Sequence, residues 1–220
     1  MESSDLLPPA PTLEDAGGDE TTLGHLQKLH EAIEKFFTLF AADDWKLETD
    51  KSGVQLYSKK SGESIDYVKR TMEVKVSKED LISFFLNLDK IKAADKKLVA
   101  MDLVEEIDDR TKLIRIEMKG NMIVSNRDFT IIRKRFELSD GSLFVIQTSI
   151  DSDKMPKTKA VRGEMILQGS IVRETSDSSC SIVNIAFVDP KGSIPSSFVN
   201  KMKSKQHEVF AKIKAKIESS

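Results

Sequence analysis

The residue types that carry most enzymatic and metal chemistry are scarce in this chain and do not cluster. The three histidines are His25, His30 and His207, and none belongs to an HExxH motif or a cysteine–histidine cluster, so a zinc site is disfavoured. The single cysteine, Cys180, begins a predicted strand with no histidine nearby, which favours a small core residue over a nucleophile. The sequence therefore predicts no metal ligand and no catalytic residue.

The motifs of common catalytic folds are absent as well. The chain contains no GxSxG nucleophile elbow, no Walker A loop and no GxGxxG fingerprint. Its paired carboxylates, Glu105-Glu106 and Asp108-Asp109, fall at a predicted hairpin tip, where solvated turn residues account for them. We therefore expect a protein that is not an enzyme and that needs no cofactor.

Arg133 is the polar residue that the pattern singles out. Side chains alternate along a strand, so on the predicted strand 128–138 Arg133 shares a face with Phe129 and Ile131. An inward arginine is costly unless it meets a carboxylate or a phosphate. These three residues are therefore expected to face a binding site. The alternative is that Arg133 extends to the surface or pairs with an acidic residue elsewhere.

The composition is that of a soluble globular protein. The chain has 220 residues, of which 39% are hydrophobic and 32% are charged, and its formal net charge is -2. This charge argues against a nucleic-acid binder, which would be basic. One cysteine excludes an internal disulfide and fits a reducing compartment. No apolar run approaches the ~18 residues of a membrane span, and no leader pattern is present, so a cytoplasmic protein is expected.

The first 45 residues differ in charge from the rest. They hold two lysines and ten acidic residues and sum to -8, so the remainder must be +6. Residues 1–20 combine acids with proline and glycine and have few large apolar side chains, so a disordered acidic tail is expected there. Helical apolar spacing in residues 21–41 predicts an N-terminal helix. Residues 21–220 are expected to form a single domain.

From Trp45 onward the pattern alternates as in β-strands. Strands are predicted at 54–57, 65–76, 100–107, 112–119, 128–138, 142–150, 161–174 and 181–188. A helix begins at Ser77, residues 89–99 are expected to be irregular, and a long amphipathic helix is predicted over 196–218. Short turns between the later strands indicate one antiparallel sheet and an α+β fold. A long helix after a curved sheet predicts a grip, in which the helix crosses the sheet and encloses a cavity.

Several short motifs follow one another in the order and spacing of a known family. They are Trp45 with Gly53-Val54-x-x-Tyr57, Arg127-Asp128-Phe129 with Arg133, Met155-Pro156 with Lys159 and Arg162-Gly163-Glu164, and Asp189-x-Lys191-Gly192-x-Ile194-Pro195 before Val199-Asn200. Over about residues 45–218 the chain resembles START domains, the lipid-transfer domains related to the steroidogenic acute regulatory protein. The resemblance implies a helix-grip fold with one lipid in an internal tunnel. It also implies a lid made of the C-terminal helix and a loop at about residues 151–161.

The resemblance adds an expectation about Arg133. In the family an arginine at this position belongs to a polar feature of the cavity, sometimes paired with an acid. Here the partner position falls near Leu113 or Ile114, and neither is acidic, which favours an anionic ligand group such as a phosphodiester. Leu113 is then expected to line the site. Arg127 is expected to fix loop structure through hydrogen bonds.

The C-terminal helix and the 151–161 loop hold the remaining candidates. Phe198, Val199 and Met202 are expected to line the tunnel, although packing on the sheet would explain them too. The membrane-docking and lid candidates are Met155, Pro156, Lys157, Lys201 and Lys205. The lysines would meet an anionic membrane while Met155 dips into it. A solvated lysine face is the competing explanation.

The hypothesis is a monomeric lipid-binding and lipid-transfer protein that contacts anionic membranes transiently. A phospholipid is favoured and a sterol stays open. Choline recognition usually needs an aromatic cage, and Trp45, Tyr57 and Tyr67 all lie in the first third of the chain, so a phosphatidylcholine specialist is disfavoured. The alternatives are a helix-grip cyclase or hydrolase acting on a hydrophobic substrate, and a lipid-sensing adaptor that binds a protein through its acidic tail.

Overall fold

Ten strands and four helices make up the described part of the chain. The computed structural model describes residues 7–122, 124–155, 158–192, 194 and 196–219, and only the backbone of residues 196–206. The elements in chain order are α1 (Glu20–Ala41), β1 (Lys46–Lys51), β2 (Val54–Lys59), β3 (Tyr67–Val74), α2 (Lys78–Leu86), α3 (Leu88–Ala94), β4 (Leu98–Glu106), β5 (Thr111–Met118), β6 (Arg127–Glu137), β7 (Leu143–Ser149), β8 (Val161–Arg162), β9 (Glu164–Ser176), β10 (Ser179–Asp189) and α4 (Ser196–Glu218).

The strands form one sheet in the order β1-β2-β3-β10-β9-β7-β6-β5-β4. All neighbours in this order are antiparallel, and the two-residue β8 pairs with β6 in parallel. Because β3 pairs with β10, the N-terminal strands join the C-terminal ones, and β9 and β10 lie in the middle of the sheet. The predicted α+β class with a single antiparallel sheet is confirmed.

The two faces of the sheet are covered by different helices. On one face, which we call the α1 face, Phe144 and Ile146 of β7 pack with Phe36 and Phe37 of α1. Gly169 of β9 permits this approach, since a Cβ atom there would lie 2.6 Å from the ring of Phe36. The other face, which we call the α4 face, carries the alternate side chains of the same strands.

Two apolar clusters lie on the α4 face. The first, which we call the α2 cluster, contains buried residues of α2, α4, β10 and the strands on both sides of β10, among them Val54, Leu81, Val145, Ile182 and Ile217. The second, which we call the β5 cluster, consists of Met101, Ile114, Ile116, Phe129, Ile131 and Met165. The α2 cluster also holds Cys180, which is fully buried, and burial raises the pKa of its thiol. The prediction of a small core cysteine is confirmed.

Helix α4 begins and ends where the periodicity predicts, at residues 196 and 218. Its C-terminal end is fixed by the buried side chain of Ile217 in the α2 cluster. Glu218 accepts hydrogen bonds from the backbone N–H of Lys75, at 2.9 Å, and from Lys214 Nζ, at 2.7 Å. Lys214 Nζ also donates to the carbonyl oxygen of Glu73. This end of the helix is therefore anchored to β3.

The sequence suggests that residues 89–99 are irregular, but this prediction is wrong, because α3 covers Leu88–Ala94. Asn87 begins this helix by accepting a hydrogen bond from the backbone N–H of Lys90 through its side chain, at 3.0 Å. The predicted strand 161–174 is divided at Gly163 into β8 and β9. A side chain at Gly163 would collide with the ring of Phe129, so the chain bends where only glycine fits.

The end of the acidic tail differs from the disordered segment that its composition predicts. Residues 13–18 form turns, and Ala16 is buried in the apolar cluster between α1 and the sheet, which includes Leu26, Phe36 and Phe144 and which we call the α1 cluster. Asp19 then begins α1, since its side chain accepts a hydrogen bond from the backbone N–H of Thr22 at 2.7 Å. Residues 1–6 lie outside the described residues.

Candidate functional site

A row of polar side chains crosses the α4 face between its two apolar clusters. We call this row the polar belt; it consists of Arg133, Gln147, Gln168, Ser170, Asn184 and Arg70. Strand register brings its members together, because Arg133 is opposite Gln147, and Gln147 is opposite Gln168. On the other side, Asn184 is opposite both Ser170 and Arg70. The belt therefore runs from β6 through the centre of the sheet to β3.

The β6 half of the belt is built around the buried amide of Gln147. Arg133 Nε donates a hydrogen bond to Gln147 Oε1 at 2.8 Å. Gln147 Nε2 in turn donates to Gln168 Oε1 at 3.2 Å and to the sulfur of Met165 at 3.2 Å. One guanidinium and two amides are thus joined in a single line across three strands.

Arg133 keeps some accessible surface although protein atoms surround it. Desolvation lowers the pKa of its guanidinium to about 10, and the side chain is only partly buried by accessible area. Within the described part of the chain, Arg133 makes no ion pair. A charged donor that keeps some accessible surface therefore lies on the α4 face, beside the β5 cluster.

The β3 half of the belt is built around Arg70, which no motif in the sequence singles out. Its side chain is buried, and desolvation lowers its pKa to about 10. Arg70 Nη1 donates to Asn184 Oδ1 at 2.6 Å, and the guanidinium lies 4.4 Å from the ring of Phe210 on α4. Asn184 Nδ2 donates to Ser170 Oγ and to the carbonyl oxygen of Gly169, both at 3.0 Å.

The predicted site residues on β6 do lie together. Phe129 and Ile131 are buried in the β5 cluster on the same face as Arg133. Leu113 does not join them: it is opposite Ile132 in register and is buried with the α1 cluster on the other face. A ligand on the α4 face does not reach it. Phe198, Val199 and Met202 belong to α4, but their side chains lie outside the described residues.

The loop that the resemblance marks as part of the lid is fastened to the body of the protein. Met155 is partly buried and packs against the α1 cluster. His25 Nε2 donates to the carbonyl oxygen of Asp151 at 2.9 Å, and Lys154 pairs with Glu105 at 2.6 Å. Pro156 and Lys157 lie outside the described residues, as do the side chains of Lys201 and Lys205. An inserted Met155 would first have to leave its packed position.

A different loop presents an apolar side chain to solvent. Met122, between β5 and β6, is fully exposed. Two hydrogen bonds between Asn121 and Val124, at 2.8 and 2.9 Å, shape the turn around it. At the end of this loop, Arg127 donates to the carbonyl oxygens of Pro190 and Lys191, both at 3.0 Å, which agrees with its expected role. The Met122 loop is thereby held beside the segment that leads into α4.

Neither a membrane span nor a metal centre is found among the described residues. No described helix has the length and the apolar character that crossing a bilayer would require. No described group of three or more His, Cys, Asp or Glu side chains is placed to hold a metal ion. The polar belt with its flanking apolar clusters is therefore the candidate site.

Comparisons with known proteins agree with this architecture. The crystal structure of human STARD10 has a TM-score of 0.76 and 20% identity, covering 95% of this chain and 80% of that one. Human StAR-related lipid transfer protein 5 has a TM-score of 0.80 and 15% identity, covering 89% of this chain and 97% of that one. At such identities these likenesses concern the fold.

Sequence comparison identifies the family. START domain-containing protein 10 of Mus musculus and that of Homo sapiens are each 39% identical to this chain over 80 residues, which is 36% of this chain and 27% of each relative. The alignment thus spans about a quarter of those relatives. A family model for the START domain matches residues 39–218, from the end of α1 through α4. This match takes in the whole sheet and its polar belt, and the chain belongs to the START domain family.

Proposed function

We propose that this protein holds one lipid between the α4 face and helix α4, and exchanges it at membranes without covalent chemistry. The observation that carries the proposal is Arg133, a desolvated guanidinium with no ion pair in the described chain, placed beside the apolar β5 cluster. An apolar wall with a few polar groups is the usual composition of a ligand pocket. The name of one structural neighbour, StAR-related lipid transfer protein 5, supports the same class of function.

The free energy of lipid transfer suggests that the polar belt, and not the apolar wall, selects among lipids. An acyl chain gains about 0.8 kcal/mol per CH₂ when it leaves water for an apolar cavity. A bilayer offers the chain nearly the same gain, so moving a lipid from membrane to protein is close to neutral for its tails. The polar end of the lipid then decides which ligand is preferred. The task of the protein is to lower the barrier of crossing water.

The charge of the belt favours a phospholipid over a sterol. A sterol presents one hydroxyl group, whereas the belt contains two guanidinium groups and three amides. A phosphodiester matches a desolvated arginine because charge-assisted hydrogen bonds are stronger than neutral ones. The segment 193–206, which precedes and begins α4, contains three lysines and no acidic residue, so its sequence supplies no carboxylate to neutralise Arg133.

The Trp and Tyr rings, which would bind a choline cation most strongly, do not lie on the α4 face. Trp45 and Tyr57 surround Lys69, whose Nζ lies 4.7 and 5.0 Å from their ring centres. Tyr67 lies 5.4 Å from the Nζ of Lys35 on α1. All three rings thus already face lysines on the α1 side of the sheet. This arrangement supports a headgroup other than choline.

Membrane contact is proposed to occur at the Met122 loop and the start of α4. Met122 is the fully exposed apolar side chain at this end, and the nearby Lys97 and Lys119 are exposed. The backbone N–H of Lys119 donates to the carbonyl oxygen of Lys97 at 2.7 Å, so these two lysines sit on adjoining chain segments. Lysines near an anionic surface contribute about 1 kcal/mol each. The loop would therefore dock where α4 must move for lipid to enter.

The enzyme alternative gains no support from the belt. Its described members are guanidinium, amide and hydroxyl groups, none of which is an ordinary general base near neutral pH. No observation favours the adaptor alternative either.

The test is lipid uptake followed by identification. The purified chain is incubated with vesicles that contain phosphatidylcholine, phosphatidylethanolamine, phosphatidylinositol, phosphatidic acid and cholesterol, then re-isolated and analysed by native mass spectrometry and lipid extraction. We expect one phospholipid per chain, with phosphatidylcholine under-represented. Stoichiometric cholesterol would overturn the phospholipid assignment. An empty protein would overturn lipid binding itself.

A further inference from the structure

Two short segments of the chain are built in the same way but differ in their surroundings. They have the sequences TLED, at residues 12–15, and SKED, at residues 77–80. In each segment the first residue donates a hydrogen bond to the aspartate, from Thr12 Oγ1 to Asp15 Oδ2 at 2.6 Å and from Ser77 Oγ to Asp80 Oδ2 at 2.8 Å. The backbone N–H of each aspartate donates back to the hydroxyl oxygen, at 3.3 and 3.1 Å. Both hydroxyl groups therefore begin a helical turn and precede two acidic residues.

The segment around Ser77 is held in the body of the protein. Val74 before it and Leu81 after it are fully buried in the α2 cluster. Lys78 Nζ also donates to the carbonyl oxygen of Gly141, at 2.6 Å. Drawing this segment out into an extended form would require α2 to leave the sheet, so the hydroxyl of Ser77 is not available to another protein.

The segment around Thr12 is held only weakly. Residues 7–12 have no helix or strand structure, and Ala16 is the one buried residue between positions 7 and 18. The turn closes through its own backbone, because the N–H of Gly18 donates to the carbonyl oxygen of Leu13 at 2.9 Å. A segment with so few buried contacts opens locally without unfolding the domain. The exposed hydroxyl of Thr12 can therefore enter the cleft of an enzyme.

The charge around Thr12 indicates which enzyme would accept it. Residues 1–27 contain six acidic residues and no lysine or arginine. Glu14 and Asp15, which lie two and three positions after Thr12, are both exposed. A hydroxyl followed by exposed carboxylates complements a substrate cleft lined with basic side chains, and kinases use such charge patterns to select their substrates. The segment also lies before residue 39, where the match to the START domain begins.

We propose that Thr12 is a phosphorylation site for an acid-directed protein kinase. The kinase would transfer the γ-phosphoryl group of ATP to Thr12 Oγ1. The new oxygen–phosphorus bond forms as the bond between the γ-phosphorus and the bridging oxygen of ADP breaks, and the hydroxyl proton passes to the catalytic base of the kinase. The proposal does not depend on lipid binding, because the segment lies outside the polar belt and its flanking clusters.

Phosphorylation would open the turn that Thr12 begins. The phosphate ester has no hydroxyl proton to donate to Asp15, and it carries a charge of about -1.5 to -2. The hydrogen bonds from the side chain and backbone of Thr12 lower the pKa of Asp15, so this carboxyl group is ionised at neutral pH. Repulsion between the phosphate and the carboxylate would then separate residues 12 and 15. Ala16 would leave the α1 cluster as a result.

The first experiment locates the phosphate. The full chain is incubated with ATP and a purified acid-directed serine/threonine kinase, and fragment-ion mass spectrometry assigns the modified residue. We expect about one phosphate per chain on Thr12. Thr12→Ala should remove the phosphate from residues 7–19, whereas Ser77→Ala, the matched control, should leave it unchanged. An unmodified Thr12 in the wild-type chain would overturn the proposal.

A second variant tests selection by charge. Glu14 contributes its carbonyl oxygen to the turn by accepting from the N–H of Gly17 at 2.9 Å, a bond that Glu14→Gln retains. We expect this variant to lower the initial rate of phosphorylation by the acid-directed kinase about five-fold. A base-directed kinase should leave both proteins unmodified at Thr12. Equal rates for wild type and Glu14→Gln would overturn recognition through the acidic residues.

Hydrogen exchange measures whether the turn opens. The backbone N–H groups of Ala16 and Gly18 should exchange about ten-fold faster after phosphorylation. Those of Asp80 and Leu81 should be unchanged, since they belong to the equivalent segment that the kinase does not reach. Equal exchange at Ala16 and Gly18 before and after modification would contradict the opening of the turn.

Discussion

Replacing Arg133 by methionine should separate ligand binding from stability. The substitution keeps an unbranched, apolar stem of similar shape, although shorter than the arginine side chain, and removes the charge. If Arg133 meets a phosphodiester, the variant loses a charge-assisted hydrogen bond worth about 1.5–3 kcal/mol, which is roughly a 10- to 150-fold loss in phospholipid affinity. A neutral competitor such as diacylglycerol should lose less than three-fold, because it presents no charge to the guanidinium.

The same substitution should not weaken the lipid-free protein. Lowering the pKa of Arg133 to about 10 from 12.5 corresponds to a penalty on the order of 3 kcal/mol for the charged form. Water that reaches its accessible surface reduces this penalty, and loss of the hydrogen bond to Gln147 offsets about 1 kcal/mol of the gain. We therefore expect the free energy of unfolding to stay constant or to rise by about 1 kcal/mol.

The assay combines urea denaturation of lipid-free protein with equilibrium binding to phospholipid and diacylglycerol. Arg110→Met is the matched control, because Arg110 lies in the β4–β5 turn and its side chain is 59% exposed. If Arg133 were instead half of a structural ion pair, its removal would cost about 3–5 kcal/mol of stability. A destabilised variant with unchanged phospholipid affinity would refute the reasoning.

Three further predictions concern other parts of the molecule. Met122→Asp should slow lipid transfer between anionic vesicles several-fold while leaving affinity for a monomeric lipid in solution unchanged, as a transfer assay and a binding titration would show. Leu113→Ala should cost about 2–5 kcal/mol of stability in urea without altering which lipids are bound, since Leu113 packs with α1; altered selectivity would contradict its placement. Desolvation opposes ionisation of Asp128, but hydrogen bonds from Arg162 and Thr158 outweigh it and lower its pKa, so its stabilising contribution holds above pH ~4 and is lost below. Asp128→Asn should therefore flatten the acid limb of a stability curve, and an unchanged acid limb would count against this network.

Local sequence patterns predict the helices best where proline and glycine residues mark the helix ends. The sequence predicts helix α4 with its observed bounds, because Pro190, Gly192 and Pro195 end the strand before it, and apolar residues then recur at helical spacing. The sequence does not single out helix α3, because the helix is only seven residues long and its apolar residues, such as Leu88 and Ile91, are only partly buried. Its signal is the capping side chain of Asn87, which a search for apolar periodicity does not weigh.

The sequence predicts which site residues of one strand share a face, but it does not predict which residues of different strands come together. Alternation correctly grouped Arg133 with Phe129 and Ile131, and the same rule places Arg70 in the series of Val68 and Met72, where it could have been found. Leu113 was misplaced because pairing between β5 and β6 sets its face, and a shift of one residue exchanges the two faces.

The remaining members of the belt depend on long-range pairing. The contact of Asn184 with Arg70 joins residues 114 positions apart, a distance that no local pattern spans. The packed position of Met155 is hidden from the sequence for a related reason. Its loop is fixed by partners on α1 and β4, which the loop sequence does not contain.

The anchoring of α4 leads to a last prediction about lipid exchange. The helix is held at its C-terminal end by Ile217 and Glu218, and the segment before it is held by Arg127 through the carbonyl oxygens of Pro190 and Lys191. Under the proposed function, lipid would enter between the α4 face and the helix, which requires one of these ends to yield. The C-terminal end is fixed by apolar burial, whereas the described residues before the helix are held by polar contacts, namely the hydrogen bonds of Arg127 and the ion pair of Lys191 with Glu164.

Arg127→Met removes those hydrogen bonds at a point remote from the polar belt. We therefore expect lipid release measured by stopped-flow fluorescence to become about 10-fold faster, with uptake accelerated to a similar degree and equilibrium affinity changed by less than three-fold. Ile217→Ala serves as the comparison at the other end, where the expected effect is lower stability, because its cluster packs far from Arg127. Slower or unchanged release in Arg127→Met would show that the opening lies elsewhere, since a bond that limits a motion must, when removed, speed it.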